Sequence, residues 1–132
     1  MPGRLPRLTR RGEFLRVAGR GRKVARPGLV LQVLPQPGGK LRLGFTATRK
    51  IGNAVVRNRA KRRLREAARL TLAAAQPPVD SGGGWDLVLI ARDTTAGRPF
   101  AQLLGDLRGA LRQAGVMPAE AAPVAAPGPV SS

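Results

Sequence analysis

From Leu41 to Thr48 the chain alternates strictly. Leu41, Leu43, Phe45 and Ala47 fall on one side of an extended strand, and Arg42, Gly44, Thr46 and Thr48 on the other. The preceding run, LVLQVL (29–34), reads as a strand from its β-branched content and its length. PQPGG (35–39) joins the two runs, and so short a Pro/Gly connection predicts an antiparallel hairpin. A third strand is predicted at WDLVLIAR (85–92), whose apolar centre suits a strand covered on both faces.

Elsewhere the apolar spacing is helical. Phe14, Val17 and Ala18 form a narrow stripe, predicting a short helix from Thr9 to about Gly19 with Thr9 as its N-cap. GRGRK (19–23) then reads as a basic turn. A longer helix is predicted from Asn53, as N-cap, to about Ala75, before Pro77-Pro78. At 100° per residue, Val56, Ala60, Leu64, Ala67, Ala68 and Thr71 share an arc of about 120°. These side chains are small or slim, so the helix can lie close to a sheet. A last helix spans about 99–114, with Pro99 in its first turn, Gly115 at its end, and Phe100, Leu103, Leu104, Leu107 and Leu111 as its core stripe.

The predicted order is α-β-β-α-β-α, an α+β chain folded as a two-layer α/β sandwich whose helices cover one face of a small sheet and leave part of the other open. Residues 1–7 read as a flexible basic arm, 8–115 as a single domain, and 116–132 as a disordered Ala/Pro-rich tail. The 132 residues, 42% hydrophobic, suffice for one core.

Charge changes the picture most. The formal net charge is +17, from 24 Lys+Arg against 7 Asp+Glu. Residues 1–70 hold 20 basic and 2 acidic residues, net +18, and residues 71–132 hold 4 basic and 5 acidic, net −1. A basic half of this kind points to a polyanion, with nucleic acid the default partner and an anionic membrane surface the second choice. KIGNAVVRNRAKRRLREAARL (50–70) concentrates the signal with eight Lys or Arg and one acid. On its helix Asn58, Arg59, Lys61, Arg62, Arg63, Arg65 and Arg69 fill the face away from the apolar arc, with Arg57 at the edge of the arc. From Arg57 to Arg69 the helix rises about 18 Å, enough to meet several phosphates. Like charges at i,i+4, such as Lys61 and Arg65, repel by a few tenths of a kcal/mol, and a phosphate backbone reverses that sign. Glu66 is placed to pair with Arg62, Arg63 or Arg69. Arg42, Thr46 and Thr48 share the polar face of their strand and are candidates to line an RNA groove. Phe14 divides between core and base platform, Phe45 reads as core, and Trp85 as packing at a strand start.

Chemistry by the protein's own side chains is disfavoured. The chain has no Cys and no His, which excludes disulfides, thiol nucleophiles, Cys/His zinc sites and Ser-His-Asp triads. Its seven acids are scattered, whereas two-metal nucleases gather carboxylates. A Glu13–Glu66 metal pair is a weak idea, so no catalytic residue and no protein metal site is assigned. The chain has no apolar run of membrane-span length and no apolar signal-peptide core at its start, so the expected placement is cytoplasmic, without a membrane partner.

KIGNAVVRNRAKRRLREA (50–67) closely resembles the signature of the bacterial ribonuclease P protein subunit, in which an Arg-Asn-Arg helix follows a Lys-x-Gly-x-Ala-Val passage. LTRRGEFLRV, LRLGFTATRK and WDLVLIAR with the Leu-rich helix after it resemble that family's first helix, second strand and end, so the resemblance covers about residues 5–115. It implies a small mixed sheet with a left-handed βαβ crossover, the ribosomal protein S5 domain 2-like fold. It also implies a subunit of an endoribonuclease that binds a catalytic RNA and the 5′ leader of precursor tRNA, with no further protein partner required. The RNA component and its Mg2+ ions would carry out the hydrolysis that releases the mature tRNA 5′ end. By resemblance Arg57, Asn58, Arg59, Lys61, Arg62 and Arg65 face the catalytic RNA, together with Arg69. Phe14, Thr46 and Thr48 lie by a leader cleft, with Arg49 and Lys50 at its edge. Two aromatics usual in the family are replaced here by Ala18 and Gln32, which implies leader binding that relies less on stacking and more on charge. A ribosomal protein and a DNA-compacting protein share the charge and size, and the Arg-Asn-Arg passage favours the first reading over both.

Overall fold

The strand with apolar side chains on both faces lies inside the sheet. The computed structural model describes residues 6–36, 41–73 and 84–116. They form α1 (Arg11–Arg20), β1 (Arg22–Arg26), β2 (Leu29–Gln36), β3 (Leu41–Thr46), α2 (Ala54–Ala68), β4 (Gly84–Ala91) and α3 (Phe100–Ala114). The four strands are ordered β1-β2-β4-β3. β4 is antiparallel to β2, with Leu31 opposite Leu89, and parallel to β3, with Leu43 opposite Leu87.

The predicted β2–β3 hairpin is therefore corrected: β4 lies between its two strands. In β4, Leu87 and Leu89 are buried on one face and Val88 on the other. Full burial of each such side chain is worth about 1.5–3 kcal/mol, and only an inner strand collects it on both faces. The Pro/Gly segment ahead of β3 signalled a reversal correctly and its partner wrongly; residues 37–40 of it lie outside the described residues.

β1 is an additional strand where GRGRK suggested a turn. It pairs antiparallel with β2, Val24 opposite Leu31. Only Val24 of β1 is buried, so its composition carries almost no strand signal, and its backbone hydrogen bonds hold it. Basic side chains suit this edge because they discourage further strand addition. On the opposite edge the last part of the predicted arm runs beside β3: Leu8 N–H donates to the Leu43 carbonyl at 2.7 Å and Leu43 N–H to the Pro6 carbonyl at 3.0 Å.

α2 and α3 cover one face of the sheet, over Leu29, Leu31, Val33, Leu43, Leu87 and Leu89. The slim arc of α2 is buried as predicted at Ala60, Leu64, Ala67, Ala68 and Thr71, while Val56 is half-buried. Asn53 caps the helix, its Oδ1 accepting from Val56 N–H at 3.0 Å. The α-helix ends at Ala68 and a wider π turn, Arg69–Ala73, follows; the predicted end near Ala75 lies outside the described residues. α3 buries Leu103, Leu107, Ala110, Leu111 and Ala114. Gly105 in α3 is exposed, and a Cβ there would meet no atom within 4 Å. Gly105→Ala should stabilise the fold by about 0.4–1 kcal/mol, read as a higher urea midpoint. An unchanged midpoint would mean that α3 is not helical at that position.

α1 lies on the other face, where Phe14, Val17 and Leu8 pack with Val88, Leu34 and Ile90. It begins at Arg11, not Thr9, and Arg10 holds the N-cap position. The acceptor at this end is Glu13 rather than the Thr9 hydroxyl: one carboxylate oxygen takes the N–H of Thr9 at 2.9 Å and of Arg10 at 3.0 Å.

Candidate nucleic-acid interface

Two surfaces are left without protein cover. One is the outer side of α2. The other is the part of the sheet that α1 leaves uncovered.

On α2, Asn58, Arg59, Arg62 and Arg65 are exposed, and Arg57 and Lys61 are half-buried. Arg57 Nη1 donates to the Gly52 carbonyl at 3.1 Å, which ties it to the turn before the helix. Among the described residues no carboxylate pairs with Arg57, Arg59, Lys61, Arg62 or Arg65. Arg63 and Arg69 are used internally. Arg69 holds Glu66, with Nε 3.2 Å from one oxygen, so its charge is already matched. That pair lowers the Glu66 carboxyl pKa and raises that of Arg69. Arg63 turns toward α3, where it donates to the Arg98 carbonyl and lies 5.6 Å from the Phe100 ring centre. Arg49 and Lys50 are exposed on a 3-10 turn, Arg49–Ile51, that leads from β3 toward α2.

The α1 face is built in rungs across the sheet. Ala25, Val30, Ile90 and Thr46 form one, Lys23, Gln32, Val88 and Gly44 the next, and Leu34, Asp86 and Arg42 the third. α1 rests on the second and third. Phe14 lies against Gly44, where a Cβ would fall 2.5 Å from Phe14 Cε2, so only glycine admits the ring this close. The first rung stays partly open, with Ala25 exposed and Val30, Ile90 and Thr46 half-buried. Phe14, itself half-buried, and Thr46 thus stand over neighbouring rungs of the same sheet face; Thr48 is exposed beyond the end of β3. Phe45 is half-buried against the main core, with the Arg7 guanidinium 5.2 Å from its ring centre.

Arg42 lines an open pocket of about 490 Å3 with Arg10, Gly12, Glu13, Arg16 and Gln36, but its charge is taken up by carboxylates of the protein. Its guanidinium grips Asp86 with Nε–Oδ1 at 3.0 Å and Nη2–Oδ2 at 2.9 Å, and Nη1 donates to Glu13 at 2.8 Å. Arg16 approaches Asp86 at 3.3 Å, and the Gln36 amide, turned so that its oxygen faces the two guanidinium groups, accepts from Arg16 and Arg42 at 3.1 Å each. Alternation placed Arg42 on the correct face. The partners come from β4 and α1, 44 and 29 residues away, and no local pattern announces them.

Glu13 joins this network to the start of α1. The N–H groups of Arg10 and Thr9, with Arg42 beside them, lower its carboxyl from 4.5 to about 2. A depressed folded-state value stabilises fully above the unfolded value near 4.5, and the stabilisation is lost as pH falls through about 2. Comparing urea midpoints of wild type and Glu13→Gln at pH 6 and pH 2.5 should show the wild-type advantage shrinking at the lower pH. An equal gap at both would mean that the carboxylate is not held by these donors.

Glu13, Glu66, Asp86 and Asp106 each have an arginine partner, and among the described residues no group of three acidic, His or Cys side chains converges. No helix among them is long and apolar enough to cross a membrane.

A small α+β domain with an arginine-rich helix beside a half-open sheet defines a basic nucleic-acid-binding protein. The chain belongs to the ribonuclease P protein family of bacterial type, matching the family model for Ribonuclease P over residues 3–115. It is 57% identical over 121 residues to the ribonuclease P protein component of Gluconacetobacter diazotrophicus, covering 91% of this chain and all of that one. With the corresponding protein of Paramagnetospirillum magneticum it shares 46% over 122 residues, covering 89% and 88%. Its fold is similar to the RNase P protein of Thermotoga maritima, with a TM-score of 0.67 at 27% identity, covering 81% of this chain and 96% of the other. For the RNase P protein of Staphylococcus aureus the TM-score is 0.66 at 25% identity, covering 86% and 99%. The RNA-binding, tRNA-processing role of the family is therefore the role of this chain.

Proposed function

We propose that the chain joins a catalytic RNA and helps it remove the 5′ leader from precursor tRNA in the cytoplasm. The observation that carries this reading is the set of exposed side chains Arg59, Arg62 and Arg65 on α2, without a carboxylate partner among the described residues, together with Phe14 and Thr46 on the part-open face of the sheet. Arg57, Asn58, Lys61, Arg49 and Lys50 extend the catalytic-RNA surface, and Arg69 joins it only by releasing Glu66. The leader lies across the open rung of the sheet with Phe14 and Thr46 beside it and Thr48 where it leaves. Ala18 and Gln32 offer no ring for stacking, so Lys23 and the basic helix supply most of the attraction. Glu13, Glu66, Asp86 and Asp106 are engaged with arginine, and on that support we assign Mg2+ and the hydrolytic step to the RNA, and to the protein the binding and orientation of substrate.

Reconstitution with the cognate catalytic RNA at low Mg2+ tests this. The protein should stimulate leader removal, and no stimulation would sink the reading. Phe14→Leu, which keeps apolar packing but removes the ring, should weaken holoenzyme binding of precursor tRNA several-fold and leave mature tRNA unaffected. Equal loss on both would make Phe14 a packing residue only.

A further inference from the structure

Of the basic stretch GRGRK only Lys23 takes part in either surface, and Arg20 and Arg22 have no role there. In the structure the stretch leads from α1 into β1, and it borders a separate cavity. The cavity, of about 370 Å3, lies at the end of the sheet where α3 finishes, and Arg20, Arg22, Pro35, Trp85 and Ala114 line it. Its volume falls in the range of pockets that hold small organic ligands.

Gly21 shapes the rim. A Cβ there would fall 2.5 Å from the carbonyl oxygens of both Val17 and Val33, so the end of α1 is pressed against β2. The flanking residues Arg20 and Arg22 therefore stay at the cavity mouth, both exposed. Among the described residues neither has a carboxylate partner. Arg20 suits the last turn of α1, where a cation offsets the helix dipole, but Arg22 belongs to β1 and has no such role. Nor does the end of α3 require them, because the carbonyls of Leu111 and Arg112 already accept the N–H groups of Val116 and Gly115 at 3.0 and 3.1 Å. Trp85 stands opposite Pro35 in the β2–β4 register and is half-buried, so part of its indole remains open to the cavity. Two unpaired guanidinium groups beside an aromatic surface suit a ligand that is planar at one end and anionic at the other.

We propose that this cavity is a second RNA subsite that takes one unpaired nucleotide, its base against Trp85 and its phosphate between Arg20 and Arg22. The proposal rests on the RNA-binding reading and adds a binding point on the face of the sheet away from the leader cleft.

Trp85 is the only tryptophan and the chain has no tyrosine, so its emission reports on this cavity alone. The full-length protein is titrated with labelled single-stranded pentaadenylate, following label anisotropy and Trp85 emission together. Saturable quenching that coincides with binding is expected. Arg20→Gln with Arg22→Gln should weaken the quenching titration at least fivefold with an unchanged circular dichroism spectrum. Arg59→Ala with Arg62→Ala should leave that titration in place while weakening binding of the folded catalytic RNA. Binding without an emission change, or equal quenching in the Arg20/Arg22 variant, overturns the subsite and leaves the main reading standing. If pentaadenylate does not bind, the subsite falls; if the catalytic RNA also does not bind, the RNA-binding reading falls with it.

Discussion

Replacing Asp86 with alanine is expected to destabilise the fold by about 3–5 kcal/mol, the cost of removing one member of a buried ion pair. The Asp86 side chain is 0% exposed and binds Arg42 through two oxygens, with Arg16 alongside. Without it Arg42, whose side chain is 22% exposed, keeps Glu13 as its one carboxylate and the Gln36 amide oxygen, and remains largely desolvated. Because Arg42 still reaches some water, the lower part of the range is the expected one. Against a typical total of about 5–15 kcal/mol, that loss brings the midpoint of urea unfolding down sharply. It should also loosen α1, because Arg16 and the Glu13–Arg42 pair are what tie that helix to the third rung of the sheet. A variant with Asp86→Leu and Arg42→Leu should recover much of the loss, since the desolvated guanidinium leaves with its buried carboxylate and Glu13 keeps the N–H groups of Thr9 and Arg10. A loss below about 1 kcal/mol for Asp86→Ala would show that water replaces the carboxylate and that the network does not hold the helix.

The second large effect is on RNA affinity. Arg59→Ala with Arg62→Ala should reduce the log–log salt dependence of catalytic-RNA binding by about 0.7–0.9 for each phosphate no longer neutralised. At 0.1 M salt that amounts to roughly 10–100-fold in affinity for the pair. Stability should change little, because both side chains are exposed and neither has a carboxylate partner among the described residues. Arg63→Ala is the matched comparison. Its guanidinium is committed to the Arg98 carbonyl and the Phe100 ring, so it should lower the urea midpoint and leave the salt slope unchanged. If Arg63→Ala flattened the slope as much as the Arg59/Arg62 variant, the division of α2 into an outer and an inner set of cations would be wrong.

That division marks how far the sequence could be read. The two-sided character of α2 was legible because its apolar arc depends only on a 3.6-residue period, and Ala60, Leu64, Ala67 and Ala68 are buried accordingly. Asn53 as cap and the core stripe of α3 were legible for the same local reason. The Lys-x-Gly-x-Ala-Val and Arg-Asn-Arg passages carried the family. β1 was missed because Val24 is its only buried residue, so an edge strand held by backbone hydrogen bonds looks like a turn. The cap of α1 was misplaced because a carboxylate three residues inside the helix replaced the expected hydroxyl.

From its order of residues alone, the chain determined where most helices and strands form, which side of each is apolar, and that one half is strongly basic. Those properties arise from repeats of two or 3.6 residues and from simple sums of charge. Tertiary structure decided that β4 separates β2 from β3, that Gly44 lies under Phe14, and that Arg42 and Arg63 turn inward while Arg59 and Arg62 stay free. Each of those outcomes depends on groups far apart in the chain being brought within a few ångströms, and a short-range period holds no record of such distances.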